Sequence, residues 1–200
     1  MRVRRALLLC VAAGLPLAAR AQTDALTRVK FETSKGAFVV EVNRDWAPRG
    51  AERFLELVRS KFFDDSRFFR VREKYIAQFG IAGDPAVTRK WQDLYFPDDP
   101  IHTSNVRGTF AFAMTGPNRR NTQVYINLVD NPQLDAQGFS PVGRVIEGMN
   151  VVDALYAGYG EDAGGGLRLG KQQDMLNYGN KHLDANFPKL DRLLRASVVR

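Results

Sequence analysis

The chain has 200 residues, with 29 Lys and Arg against 22 Asp and Glu, one cysteine and two histidines. That length suits one domain with a sizeable apolar core. A lone Cys10 excludes an intrachain disulfide, and His102 and His182, without HExxH or Cys/His spacing, leave little material for a metal site or a histidine triad, so hydrolase readings start at a disadvantage.

The first 21 residues read as an export signal: Arg2, Arg4 and Arg5, an apolar run from Ala6 to Ala19, then Ala19-Arg20-Ala21 as a cleavage site, giving a mature chain that starts at Gln22. The run is too short, and too interrupted by Gly14 and Pro16, for a bilayer-spanning helix of about 20 residues. Stable membrane insertion is therefore not expected. Cys10 follows a leucine early in the run and reads as ordinary signal sequence. Four of the 29 basic residues leave with the signal and none of the 22 acids do, so the net charge falls from +7 to +3. No long basic run remains, and nucleic-acid binding is not supported. A short Arg-rich signal and a mature chain without disulfides predict a bacterial periplasmic address, with secretion as the alternative.

From Arg28, Val29 and Phe31 alternate with Lys30 and Glu32, and Phe38, Val40 and Val42 resume the period after Ser34-Lys35-Gly36, which predicts a β-hairpin. Pro48 followed by Ala51, Phe54, Leu55 and Val58 predicts an amphipathic helix of about three turns. Short strand-like runs then recur at 67–71, 75–80, 109–114, 123–128 and 138–145, separated by Gly, Pro, Asn and Asp. A second short helix fits Met149 to Tyr156. Six glycines between Gly158 and Gly170 predict a flexible loop, Gln172 to Leu183 has a poor helical pattern broken by Gly179, and Ala196 to Val199 could supply a closing strand. Many short strands and two separated helices argue for a mainly β domain: a closed antiparallel sheet capped by helices, spanning 22–160, with 161–200 as a C-terminal extension packing on it. A monomer is expected.

Two features bear on chemistry. In the run 123–128, Val124, Ile126 and Leu128 share one face and Gln123, Tyr125 and Asn127 the other. Read alone, the second face is a solvated surface with one amphipathic tyrosine. Arg70, inside Phe68-Phe69-Arg70-Val71, is in isolation a surface ion-pair partner.

Several segments taken together, in order and at similar spacing from Val29 to Leu155, resemble the cyclophilin family of prolyl isomerases. Phe68-Phe69-Arg70-Val71 is similar to the family's Phe-His-Arg segment, and Tyr75-Ile76-Ala77-Gln78-Phe79-Gly80 to its Phe-Met-x-Gln-Gly-Gly. Phe110-Ala111-Phe112-Ala113-Met114 stands at its Ser-Met-Ala-Asn. Gly116-Pro117-Asn118 and Thr122-Gln123-Val124-Tyr125-Ile126 resemble Gly-Pro-Asn and Ser-Gln-Phe-Phe-Ile, and Leu134-Asp135 with Val142-Gly143 through Gly148-Met149 completes the series.

The resemblance implies an eight-stranded closed antiparallel barrel with a helix over each end, and prolyl cis/trans isomerase activity without a cofactor. It implies Arg70 acting on the substrate's proline nitrogen, Gln78 either holding a substrate carbonyl or orienting Arg70, and a floor of Ala113 and Gln123. Tyr75, Ile76, Tyr125, Leu134 and Phe139 would form the proline pocket, and backbone groups near Met114 would pair with the substrate chain. Tyr75 and Tyr125 replace the family's phenylalanines, Gln133 stands at a frequent tryptophan and Phe139 at a frequent histidine. The implied partners are proline-containing segments of unfolded or exported proteins. A competing class is a cyclophilin-like module that holds such segments, or acts as a chaperone, with little turnover.

Overall fold

The computed structural model describes residues 25–165 and 171–199; the export signal expected at 1–21 lies outside them. Nine strands form one antiparallel sheet: β1 (Leu26–Thr33), β2 (Gly36–Asn43), β3 (Ser66–Arg67), β4 (Arg70–Val71), β5 (Ile76–Phe79), β6 (Thr109–Met114), β7 (Arg120–Asn127), β8 (Pro141–Glu147) and β9 (Arg192–Val199). Their order is β3-β9-β1-β2-β8-β6-β7-β5-β4. The sheet is a curled, unclosed barrel, and this corrects the expected closed eight-stranded one. Its outer strands, β3 and β4, are not hydrogen-bonded to each other, although only Phe68 and Phe69 separate them. Three Cα steps span roughly 10 Å at most, so the two ends of the sheet lie close together.

The break within the single strand expected at 67–71 has a packing cause. Phe68 enters the main core, whereas Phe69 packs with Ile81, Ala163, Met175, Leu183 and Leu190 outside it. The Phe68 amide meanwhile donates to the Asp191 carbonyl at 3.1 Å, which ties the seam to the C-terminal segment.

Inward-facing residues fill the curled sheet. Phe31 stacks on Phe38 with centroids 4.9 Å apart, and Phe54 lies 4.8 Å from Phe110. Phe54 comes from α1 (Pro48–Arg59), whose Ala51, Phe54, Leu55 and Val58 are buried as the spacing predicts. Each fully buried ring contributes on the order of 2–3 kcal/mol.

Of the two capping helices expected, the second is α3 (Met149–Asp153), shorter than its apolar stripe. Among the described residues three more α-helices occur. In α2 (Pro85–Trp91) the Asp84 side chain accepts the Ala86 amide at 2.7 Å and Pro85 fills the first turn, an N-terminal signal present in the sequence. The weak pattern after Gln172 becomes α4 (Gln173–Tyr178) and α5 (Asn180–Asn186), split at Gly179. Its φ of +56° and ψ of −138° favour glycine, and a Cβ there would lie 2.1 Å from the Gly83 carbonyl oxygen.

The C-terminal residues are integral to the sheet. β9 lies between β3 and β1, so the strand expected at Ala196 to Val199 runs longer, from Arg192. α5 is fastened by Asp184, whose carboxylate accepts from Nη2 of the buried Arg67 at 2.8 and 3.1 Å. Of the glycine-rich stretch expected as a flexible loop from Gly158 to Gly170, residues 166–170 lie outside the described residues; within the rest, Ala163, Gly164 and Gly165 are buried, and Ala163 joins the cluster around Phe69 and Met175. Among the described residues, no helix is long and apolar enough to cross a membrane.

Candidate functional site

Strand alternation sends every second residue of β4, β5, β7 and β6 away from the core. The registers then align four of these residues in one row: Arg70 opposite Gln78, Gln78 opposite Tyr125, and Tyr125 opposite Ala111. At about 4.8 Å between strands the row spans roughly 14 Å. The Gln123, Tyr125 and Asn127 face is thus no solvated surface, being at most 5% exposed throughout. A tyrosine among amides could serve a wet face or a dry site, and the sequence pattern alone does not separate the two.

At one end of the row the contacts are polar. Arg70, whose side chain is 13% exposed, donates from Nη1 to Gln78 Oε1 at 3.0 Å. Its Nε and Nη2 donate to Glu161 Oε1 at 3.0 and 2.5 Å, so the ion pair expected of a lone strand arginine also exists. Gln78, 1% exposed, donates onward to Gln123 Oε1 at 2.9 Å, and Gln123 donates to Gln172 Oε1 at 2.7 Å. The arginine is therefore held from both sides by a line of polar groups.

Beyond Gln78 the row is apolar. Ile76, Ala111, Ala113, Tyr125 and Leu134 form a buried cluster with Tyr75 and Phe139 half-buried at its rim. The Tyr125 and Phe139 rings meet edge to face at 5.7 Å. Tyr75 lies under two guanidiniums, with Arg70 Cζ 5.8 Å and Arg72 Cζ 5.2 Å from its ring centre.

The structure brings together Arg70, Gln78, Gln123 and the pocket set Tyr75, Ile76, Ala113, Tyr125, Leu134 and Phe139. Met114 stands apart from this cluster, buried at the end of β6 with its Cε toward Gly138.

The Tyr125 hydroxyl has a definite partner, donating to Asn105 Oδ1 at 2.9 Å. Asn105 is fully buried and donates from Nδ2 to Asp135 Oδ1 and to the Phe139 carbonyl, each at 2.7 Å. This clamps the segment carrying Leu134 and Phe139 onto β7. Burial opposes ionisation of Asp135, but hydrogen bonds from Ser104 and from the Asn105 side chain and amide outweigh it and lower its pKa. Burial also raises the Tyr125 pKa, keeping the phenol protonated as a donor.

Sequence reasoning missed Glu161, Gln172 and Asn105. Glu161 and Gln172 lie about 90 and 50 residues from their partners, in segments with little periodicity, and no local pattern marks such contacts. Asn105 could have been suspected only as a polar residue near a predicted strand.

A family model described as "Cyclophilin type peptidyl-prolyl cis-trans isomerase/CLD" matches residues 28–168. A peptidyl-prolyl cis-trans isomerase of Arabidopsis thaliana is 36% identical over 135 residues, covering 64% of this chain and 79% of that relative. One of Acinetobacter baylyi is 30% identical over 151 residues, covering 72% and 79%. Among solved structures, a cyclophilin-type isomerase of Cryptosporidium parvum superimposes with a TM-score of 0.64 at 19% identity, covering 88% of this chain and 98% of that one. At that identity the superposition speaks for the fold.

Proposed function

The chain belongs to the cyclophilin-type peptidyl-prolyl cis-trans isomerase family and isomerises X-Pro peptide bonds; from that premise we propose that Arg70 is the residue acting on the proline nitrogen and that Gln78 orients it. The observation carrying this reading is the pairing of Arg70 with Gln78 at 3.0 Å beside a buried apolar cluster on the same sheet face.

Amide resonance sets a rotation barrier of about 18–20 kcal/mol. At the twisted transition state the proline nitrogen pyramidalises and regains a lone pair. A fixed N–H donor aimed at that lone pair favours the twisted state over the planar one, which accelerates rotation without a nucleophile or proton transfer. A guanidinium is permanently charged and rich in donors. A hydrogen bond stronger by about 3 kcal/mol at the transition state gives roughly a hundredfold in rate.

The apolar cluster suits a proline ring: Ile76, Leu134 and the Tyr125 and Phe139 rings provide dry contact, and Ala111 and Ala113 leave room above the strands. Because the Tyr125 hydroxyl is already bonded to Asn105, the tyrosine can serve the pocket as a phenylalanine would. Gln78 spends its oxygen on Arg70 and one N–H on Gln123, which favours orienting Arg70 over holding a substrate carbonyl. Backbone groups of β6 near Met114, beyond its last register pair with β8 at Ala111, are the proposed place for pairing with an extended substrate.

The substrates we propose are proline-containing segments of exported proteins, in which X-Pro isomerisation limits folding for tens to hundreds of seconds at about 25 °C. The support is the leader-like sequence of residues 1–21. N-terminal sequencing of the processed protein tests cleavage before Gln22. For the activity itself, refolding of a proline-limited substrate should be faster with the native protein than with Arg70→Ala; equal acceleration by both would remove Arg70 from the mechanism.

A further inference from the structure

Glu161 contacts the arginine that the preceding reading makes catalytic, yet it comes from the glycine-rich segment after α3. One carboxylate oxygen, Oε1, accepts both Nε–H and Nη2–H of Arg70, while Nη1–H is taken by Gln78. A guanidinium carries five N–H groups; these bonds use three and leave one on each terminal nitrogen for a substrate.

Charge adds to the constraint. Arg72 Nη1 also lies 3.4 Å from Glu161 Oε1, and both guanidiniums overlie Tyr75. Without the carboxylate, the two like charges would repel across one ring, and Arg70 would lose its restraint along an entire edge. Glu161 remains ionised because its hydrogen bond from Arg70 lowers its pKa, with desolvation opposing and Arg72 assisting.

The segment carrying Glu161 is itself held. On one side Tyr159 packs edge to face against Tyr156 and Phe187, at 5.1 and 5.2 Å. On the other, Ala163 is buried, and a Cβ on Gly164 would come within 2.7 Å of the Phe69 ring and 2.4 Å of Met175. The carboxylate is thus presented by an anchored stretch, a geometry suited to a steady restraint.

We infer that Glu161 is a positioning residue for the isomerase reaction, fixing the Arg70 guanidinium so that its remaining N–H groups are available where the proline nitrogen twists. The inference rests on the assignment of Arg70 above. Positioning a donor used only at the transition state acts on kcat and leaves KM nearly unchanged.

The test measures kcat and KM for an Ala-Pro-containing tetrapeptide, by NMR exchange, in the native protein, Arg70→Ala, Glu161→Ala and Glu161→Gln, with thermal melting of each. Glu161→Ala is expected to lower kcat about tenfold with KM changed less than twofold, and Glu161→Gln, which keeps an acceptor oxygen, to recover part of the loss. Glu161 is 29% exposed and removing it empties no core, so melting should hold. If melting falls for Glu161→Ala, the Gln variant decides by the same kcat and KM criterion. A kcat unchanged or raised by the substitutions, while Arg70→Ala abolishes turnover, overturns the positioning role alone. Full turnover in Arg70→Ala overturns the catalytic assignment on which it rests.

Discussion

Arg70 and Gln78 face each other directly across β4 and β5, and Arg70 Nη1 donates to Gln78 Oε1 at 3.0 Å. The Gln78 amide cannot flip without placing NH₂ against the guanidinium and losing its bond to Gln123, so its orientation follows from its neighbours. Gln78→Ala should therefore lower kcat/KM about tenfold by freeing Arg70. It should also cost about 1–3 kcal/mol of stability, because buried polar partners lose a bond. Peptide exchange kinetics and urea unfolding read the two effects separately.

Tyr125→Phe deletes a hydroxyl while keeping the ring in the pocket. Asn105 Oδ1 loses its bond from Tyr125 but keeps the one from Asn127 Nδ2 at 3.2 Å, so the stability loss should be small, about 1 kcal/mol. Turnover of a prolyl peptide should stay within about threefold of native, since the ring supplies the contact. A larger fall in kcat would show the hydroxyl acting in the reaction.

The clamp at Asp135 predicts a pH dependence. Its native pKa is depressed, so it binds protons less readily than in the unfolded chain. Its contribution is fully present above the unfolded aspartate value of about 3.9 and is lost as pH falls through the lower native value. At neutral pH, Asp135→Asn should be less stable than native by about 1–2 kcal/mol, because a charged acceptor for Ser104 and Asn105 becomes neutral. That gap should narrow below about pH 4 in urea titrations.

Gly80, just after β5, has φ of +102°, and a Cβ there would fall 2.3 Å from the Thr122 carbonyl oxygen. Gly80→Ala should destabilise by more than about 2 kcal/mol and disturb the β5–β7 pairing that aligns Gln78 with Tyr125. Thermal melting and amide exchange in β7 measure this.

Local periodicity made much of the fold legible. The hairpin of β1 and β2, the buried stripe of α1, and β6 at Thr109–Met114 follow from residue alternation within a few positions. The unclosed seam was not legible, because it depends on Phe68 and Phe69 packing into different clusters, one built, apart from Ile81, by residues more than 90 positions away. The extra helices are short, so their apolar stripes are only one or two residues long and tertiary contact decides them. At the site, strand residues could be grouped because alternation sets their faces. Glu161 and Gln172 reach the same polar line through tertiary packing of a weakly patterned segment, which no residue spacing encodes.

The most direct test of the central claim compares native protein, Arg70→Ala and Arg70→Lys for both binding and turnover of one prolyl peptide. If Arg70 donates to the proline nitrogen at the twisted state, Arg70→Ala should lose about a hundredfold in kcat while peptide affinity changes little, and Arg70→Lys should restore only part, since a point charge lacks the fork held by Gln78 and Glu161. An Arg70→Ala protein that binds weakly yet turns over at the native kcat would contradict the account, because the arginine would then be a binding group alone.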